Sequence, residues 1–339
     1  MTYGIIEKMK TPITQSKHWQ KLQDDLGEPN FYEQGNGYSY LAILKSTPVG
    51  KYLYLPYGPV FDNLQGMYNA FKSLKNLAAR HQAIFSRIEP QSRDFINHLP
   101  AIARKSTDLN PAETWVLDLT GKEEDLKSRL PSRLLRYYKS ASKKGITIEQ
   151  SHNPDDIHYL LDLQKALAKE KGISTFSEEY LKTELKQPFA TLYLVKQESN
   201  TWAGDGSEGI PAERQATWGG VEPAGPAQII AAGLVFDDKV IRYNLQGAQS
   251  DEGRKLHATG ILTIQLILDA VAKGLKSFDF WGIAPEGAPQ NHPWAGFTNF
   301  KKTFAGREVR YSGTYDLVYD SWKYRLYQIL RKLNRILKK

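Results

Sequence analysis

Apolar and polar residues alternate along 38–45 (YSYLAILK) and 51–55 (KYLYL), the period-two pattern of strands with one covered face. Pro56-Tyr57-Gly58-Pro59 ends that run. The period then changes. Met67, Ala70, Phe71, Leu74, Leu77 and Ala78 recur every three or four residues, which predicts a helix over 63–81. Residues 83–88 (AIFSRI) read as a short strand closed by Pro90. Similar units follow Asn110-Pro111. Strands at 115–119 and 146–149 flank a helical stretch over 122–143, interrupted at Pro131. Helices over 155–171 and 177–185 open on the capping candidates Asn153 and Ser177. Strands at 190–196, 228–236, 239–245, 277–281 and 309–319, with helices at 256–273, 294–304 and 321–339, complete the pattern. Between two strands, 197–226 is rich in Gly, Pro, Ser and acidic residues and is expected to be a flexible insertion. Strands and helices mixed in this order predict an α/β (α+β) protein, and 339 residues suffice for two domains.

Charge refines this picture. Of the net +8, seven charges fall in the last helical segment (Lys323, Arg325, Arg331, Lys332, Arg335, Lys338, Lys339), which has no acidic residue. The isoelectric point therefore describes a tail more than a basic body. The same segment repeats Trp322, Leu326, Ile329, Leu330, Leu333, Ile336 and Leu337 at helical spacing. A basic amphipathic helix of this kind packs on the body, lies on an anionic membrane or offers its charges to RNA. With no cysteine, the chain has no disulfide, thiol nucleophile or thiolate metal site. Its seven histidines show no metal-ligand spacing, and a phosphate-binding glycine loop of the Walker type is missing. Asp279 and Glu286 are lone carboxylates of the kind that serve either as a base or as structural residues. The first twenty residues lack a basic segment followed by an apolar run, so a cytoplasmic protein is expected.

Five stretches taken together resemble the FemABX family of peptidoglycan bridge aminoacyltransferases. They are PYGPVF (56–61), SRIEP (86–90), SRLLRYYKSASKKGITIE (132–149), FDFWGI (278–283) and FTNFKKTFAG (297–306). The similarity runs from about Trp19 to Tyr319 and lacks the coiled-coil arm of some members, which implies the armless FemX-like architecture. The resemblance implies two tandem GNAT-like domains, 1–110 with 313–339 and 111–312. It also implies transfer of an amino acid from aminoacyl-tRNA to the stem peptide of a peptidoglycan precursor, with no cofactor and no metal.

On this resemblance Phe300 and Lys301 are the pair that handles the aminoacyl end, with Lys301 stabilising charge as an amine attacks an ester. Read without it, Lys301 and Lys302 are two surface lysines on a helix. Trp19, Lys21, Arg87, Glu89 and Tyr180 fall on precursor-binding positions. Arg87 reads equally as a surface ion pair and Trp19 as a core aromatic. Gln23 and Phe176 stand where FemX-type enzymes place basic residues on a nucleotide diphosphate, and Leu245 replaces a tyrosine. These departures favour a lipid-linked acceptor (lipid II) over UDP-MurNAc-pentapeptide. Arg129, Arg133, Arg136, Lys139 and Lys143, spaced by three or four on one predicted helix, form with Lys144 a stripe, Tyr137 and Tyr138 beside it, suited to tRNA phosphates or to plain solvation.

Two rival readings remain. A CoA-dependent N-acyltransferase would carry an Arg/Gln-x-x-Gly-x-Gly/Ala loop after the strand ending near Leu245, where the chain instead reads SDEGRKLHA (250–258). A non-enzymatic RNA-binding protein would use the basic stretches and leave Phe300-Lys301 without a role.

Overall fold

The computed structural model describes residues 11–171, 175–198 and 227–337; the expected insertion at 197–226 lies outside them beyond its first two residues. The described chain forms two compact units, Met1–Val116 with Phe280–Lys302 and Gly306–Lys339, and Leu117–Asp279 with Thr303–Ala305. The division expected from sequence, 1–110 with 313–339 against 111–312, differs by giving 111–116, 280–302 and 306–312 to the second part.

In the first unit a short helix α1 (Lys17–Asp25) precedes β1 (Asn30–Gly35), β2 (Tyr38–Thr47), β3 (Gly50–Leu55) and β4 (Val60–Phe61). Helix α2 (Leu64–His81) then leads to β5 (Ala83–Ile88), β6 (Ala103–Lys105) and β7 (Glu113–Asp118), whose last two residues fall in the second unit. Asn63 caps α2 by accepting from the Gly66 amide, and Arg80 and His81 close it against the helix dipole. Met67, Ala70, Leu74, Leu77 and Ala78 are buried, as their spacing predicts. Helix α2 is the crossover that lets β5 lie parallel to β3.

The second unit holds α3 (Glu123–Arg129), α4 (Ser132–Lys139), β8 (Ile146–Ser151), α5 (Ile157–Lys171) and α6 (Glu178–Leu185). It continues with β9 (Ala190–Gln197), β10 (Gln228–Asp237), β11 (Ile241–Gln249), α7 (Asp251–Lys255), α8 (Ala258–Ala272) and the start of β12 (Ser277–Gly282). Strands β8 to β11 pair antiparallel in the order β8-β9-β10-β11, and β12 joins β11 in parallel. The crossover is again a helix. Nine residues of the fifteen in α8 are buried, which is why its pattern is apolar on most faces.

The chain returns to the first unit through the end of β12, followed by α9 (Ala295–Lys302), β13 (Arg307–Arg310), β14 (Tyr315–Val318) and α10 (Ser321–Leu337). Strand β14 inserts between β5 and β6, completing the order β1-β2-β3-β5-β14-β6, with β4 on β2. The single strand expected over 309–319 is thus two strands, parted by a bend at Gly313, whose φ of 75° suits glycine. Both sheets mix parallel and antiparallel pairs, the α/β (α+β) class expected.

Candidate active site

Lys301 lies in the last turn of α9, where a cation is favoured by the helix dipole. Its ammonium donates to the carbonyl of Gly282 at 2.5 Å, so the side chain folds back onto the end of β12. The helix is held there by Thr298, a buried hydroxyl that donates to Trp294 O and accepts from Ala284 N, both at 2.8 Å. Lys302 turns the other way: it is exposed, lies 5.7 Å from the Trp115 ring centroid and pairs with Glu308 at 3.7 Å. Two adjacent lysines that are equivalent in sequence therefore differ in environment. Phe300, beside Lys301, is half-buried.

Gly282 is the required residue at its position. A Cβ there would stand 2.5 Å from the Pro111 ring and 3.5 Å from Trp294. The preceding Trp281 has a φ of 66°, and Tyr57, from the Pro56–Pro59 turn, has a φ of 52°. The left-handed region is uncommon for bulky aromatics and costs energy that surrounding contacts must offset. Here the two rings meet edge to face at 5.4 Å, Tyr57 packs on Tyr311 at 5.2 Å, and its hydroxyl donates to Pro111 O at 2.9 Å. The Tyr57 turn, the 110–111 segment and the end of β12 thus form one braced frame around the carbonyl that holds Lys301.

Glu89 secures the frame from within. It is buried and accepts from Asn110 Nδ2 at 2.8 Å, Thr314 Oγ1 at 2.9 Å and Tyr54 Oη at 3.1 Å. Longer bonds come from the Tyr57, Leu109 and Asn110 amides. Burial raises the Tyr54 hydroxyl well above its usual range, with the Glu89 charge adding to the effect, so it stays a donor. The carboxylate expected to face a precursor instead ties four chain segments together.

Arg87 is a second correction. It lies opposite Asp316 in the β5–β14 register, and Nε and Nη2 donate to its two oxygens at 2.8 Å each. Tyr324 and Ser106 hydroxyls complete the arrangement at 2.9 and 3.2 Å. Burial alone would lower the guanidinium, but the hydrogen bonds and charge of Asp316 hold it above its ordinary value. A buried, bidentate pair leaves this arginine no direct reach to a diphosphate. Trp19 is likewise a core residue of α1, whereas Lys21 is exposed and paired with Asp25 at 2.9 Å. Gln23 is buried. Of the lone carboxylates, Glu286 pairs with Arg310 at 2.7 Å and Asp279 is buried.

In the second unit Tyr180 stands in the first turn of α6, its amide capped by Ser177 and its ring stacked on exposed Phe176 at 5.1 Å. One turn later comes Glu184, which the sequence reading passed over. It is 2 % exposed among Leu181 and Leu185, and burial pushes its carboxyl up to about 8, a hydrogen bond from Tyr180 acting in the opposite direction. Gln246 donates to it at 3.3 Å and is itself met by Gln164 at 3.0 Å. An acidic residue on the apolar face of an amphipathic helix was the signal available for it.

The basic stretch is not one helix. Pro131 ends α3 and begins α4, and Gly145 follows a final 3-10 turn over Ser142–Lys144. Arg129 closes α3, Arg133, Arg136 and Lys139 lie on α4, and Lys143 and Lys144 lie in the turn. The breaks still bring Arg133, Arg136 and Lys144 to 5.7, 5.9 and 5.8 Å from the Tyr137 ring centroid. That ring stacks flat on His257 at 4.3 Å. All but half-buried Arg129 are exposed, and none of the six forms an ion pair with a described residue. Tyr138 points away, donating to Gln265 at 2.6 Å. Exposed cations with no counter-ion among the described residues, set around a stacked aromatic, suit a polyanion with planar bases.

Among the described residues no group of three His, Asp or Glu has a metal-binding arrangement, and no helix is long and apolar enough to cross a membrane.

Residues 212–332 match the model of the FemAB family. The crystal structure of FemX superposes with a TM-score of 0.74 at 17% identity, covering 93% of this chain and 94% of that one. The C-terminal domain of a putative lysylphosphatidylglycerol synthetase from Agrobacterium fabrum gives 0.55 at 13% identity, covering 93% and 92%. L-PGS from Bacillus licheniformis gives 0.54 at 13%, covering 97% and 99%. At these identities the likeness is one of fold. No curated protein matches by sequence.

Proposed function

We propose that this chain, a FemABX-family protein, is an aminoacyltransferase that moves an amino acid from aminoacyl-tRNA to the stem peptide of a peptidoglycan precursor. The acceptor amine attacks the ester carbonyl, the C–N bond forms as the C–O bond to ribose breaks, and the amine's proton ends on the ribose oxygen. The ester is already activated, so neither metal nor cofactor is required. Negative charge develops first on the carbonyl oxygen and then on the departing oxygen. Lys301 supplies a cation whose position is set in advance, the condition under which such stabilisation is strongest. The observation that carries the reading is the Lys301–Gly282 bond within the Tyr57–Trp281 frame.

In this reading Phe300 and Lys301 serve the aminoacyl end, and the Arg129–Lys144 cations with Tyr137 hold tRNA. Lys21 and Tyr180 meet the precursor, while Trp19, Arg87 and Glu89 serve within the core of the first unit. Exposed Phe176 beside Tyr180 and buried Gln23 support a lipid-linked acceptor, because neither offers a cation to a soluble nucleotide's diphosphate. The enzyme would then work in the cytoplasm at the inner membrane face.

The CoA-dependent alternative finds little support after β11. Ser250 caps α7 and receives the Gly253 amide, the first turn carries Asp251 and Glu252, and Gly253 packs against the Ile230 carbonyl. A pyrophosphate needs free amides and no negative charge there. The test is incubation with charged tRNA and lipid-linked or UDP-linked precursor, read by mass spectrometry. A gain of one aminoacyl residue, lost in Lys301→Ala, supports the proposal. A gain with acetyl-CoA alone overturns it, and tRNA binding without product favours the RNA-binding reading.

A further inference from the structure

Helix α10 is fixed to the first unit by one face and leaves the other uncovered. Tyr324 is buried against Phe85 and Ile84, and its hydroxyl donates to Asp316. Tyr327 packs on Phe85 at 5.0 Å and accepts from Arg87. The opposite side holds Trp322, Leu326, Ile329 and Leu333, spaced four, three and four apart and hence in one row along the helix. Trp322 is 73 % exposed, Ile329 56 % and Leu333 49 %, and Leu326 between them is half-buried. Of the three roles open to this helix from its sequence, packing its apolar stripe on the body is therefore taken by the tyrosine face instead.

The row has a charged border. Arg325 and Lys332 stand beside it, both exposed and seven residues apart. Lys323 borders the other side of the row and leans toward Asp320 at 3.6 Å, and Arg331 lies round on the tyrosine side. No acidic residue occurs anywhere in 321–339.

We propose that this face docks the protein on a bilayer surface containing anionic phospholipid, with Trp322, Ile329 and Leu333 entering the headgroup boundary and Arg325 and Lys332 meeting lipid phosphates. An indole at one end of the row suits that boundary, where one part of the ring is apolar and its N–H is wet. Charge selects among occupants. A second copy bound through the same face would oppose cation to cation with no acidic side chain in the segment to relieve it. An RNA would satisfy the cations and leave the apolar row against sugar and phosphate. Only an anionic lipid surface answers both halves of the pattern. The proposal stands on the helix alone and does not depend on the transfer reaction.

The full chain is sedimented with vesicles of phosphatidylcholine alone and of phosphatidylcholine with phosphatidylglycerol. Binding is expected only to the second and is expected to weaken with added salt. Arg325→Gln and Lys332→Gln should each weaken it by about fivefold, the effect of one basic residue near an anionic surface. A Trp322→Ser, Ile329→Ser, Leu333→Ser variant, altered at exposed positions only, should lose binding while keeping its circular dichroism. Brominated lipid should quench tryptophan emission in the natural sequence, and Trp322→Phe should remove that quenching. Equal binding to both vesicles, or an unaltered triple-serine variant, overturns the proposal. Concentration-dependent dimerisation abolished by the triple variant would assign the face to a second copy, and RNA retention abolished by it would assign it to nucleic acid. Transfer assayed with a detergent-dispersed acceptor remains measurable in every case, so failure of docking and failure of the proposed activity are separate results.

Discussion

Tyr57 and Trp281, both held at positive φ, meet edge to face at 5.4 Å. Each stands at the close of a strand, β3 and β12 respectively, where the chain must turn sharply. Their contact braces the backbone just ahead of Gly282, whose carbonyl receives Lys301. A lysine on a surface helix thereby becomes a cation of fixed position.

Lys301→Ala should lower kcat by about 10²–10³-fold, the usual loss when one charge-stabilising donor is removed. Lys302→Ala should stay within a few-fold of the natural sequence. Steady-state kinetics on both, with matched melting curves, separates the two lysines; equal losses would contradict the assignment.

Gly282→Ala places a methyl group into the Pro111 ring. Overpacking of this kind costs about 1–3 kcal/mol. Because the shift also moves the carbonyl that holds Lys301, kcat should fall by more than the stability loss explains. Urea denaturation and kinetics on the same preparation give both figures.

Breaking the Arg87–Asp316 pair from one side leaves a buried charge uncompensated. Arg87→Ala or Asp316→Ala should each cost about 3–5 kcal/mol. The double replacement Arg87→Met, Asp316→Leu should cost clearly less than the two losses added together. A double-mutant cycle in urea measures this.

Glu184 makes stability depend on pH. Its carboxyl ionises near 8 in the folded protein against 4.5 in a free chain. Between those values the folded state holds a proton that the unfolded state has released. The part of the stability that Glu184 contributes is therefore full below pH 4.5 and declines as pH rises toward 8, by a few kcal/mol in order of magnitude. Glu184→Gln should remove this decline, so denaturation at pH 5, 7 and 8.5 should give a flatter profile than the natural sequence.

Arg133→Gln and Arg136→Gln should weaken tRNA binding and reduce its salt dependence by about one counterion each. Filter binding across a salt series measures both. Tyr137→Ala should weaken binding with little change in salt slope, because stacking releases no counterion.

Most of the elements were legible because their signals are local. The apolar spacing defines α2 within one residue of its observed start, and β5 falls where 83–88 reads as a short strand closed by Pro90. Errors arose where pairing or a break overrides pattern. Strand β1, with the polar sequence NFYEQG, exists because β2 lies beside it. The basic stretch, whose break at Pro131 was legible, breaks again before the 3-10 turn over Ser142–Lys144, and 309–319 is divided at Gly313. Sequence also named the PYGP turn and the WGI strand end, both parts of the frame, and the resemblance named the Phe300-Lys301 pair. The pattern by itself could not tell Lys301 from Lys302, see that Arg87 is consumed by a carboxylate 229 positions away, or choose which face of α10 meets the body. Those outcomes belong to the tertiary structure for one reason. Periodicity records which side of an element is covered, whereas a side chain's partner is set by which distant strand lies across from it, and that register is fixed only when the sheet closes.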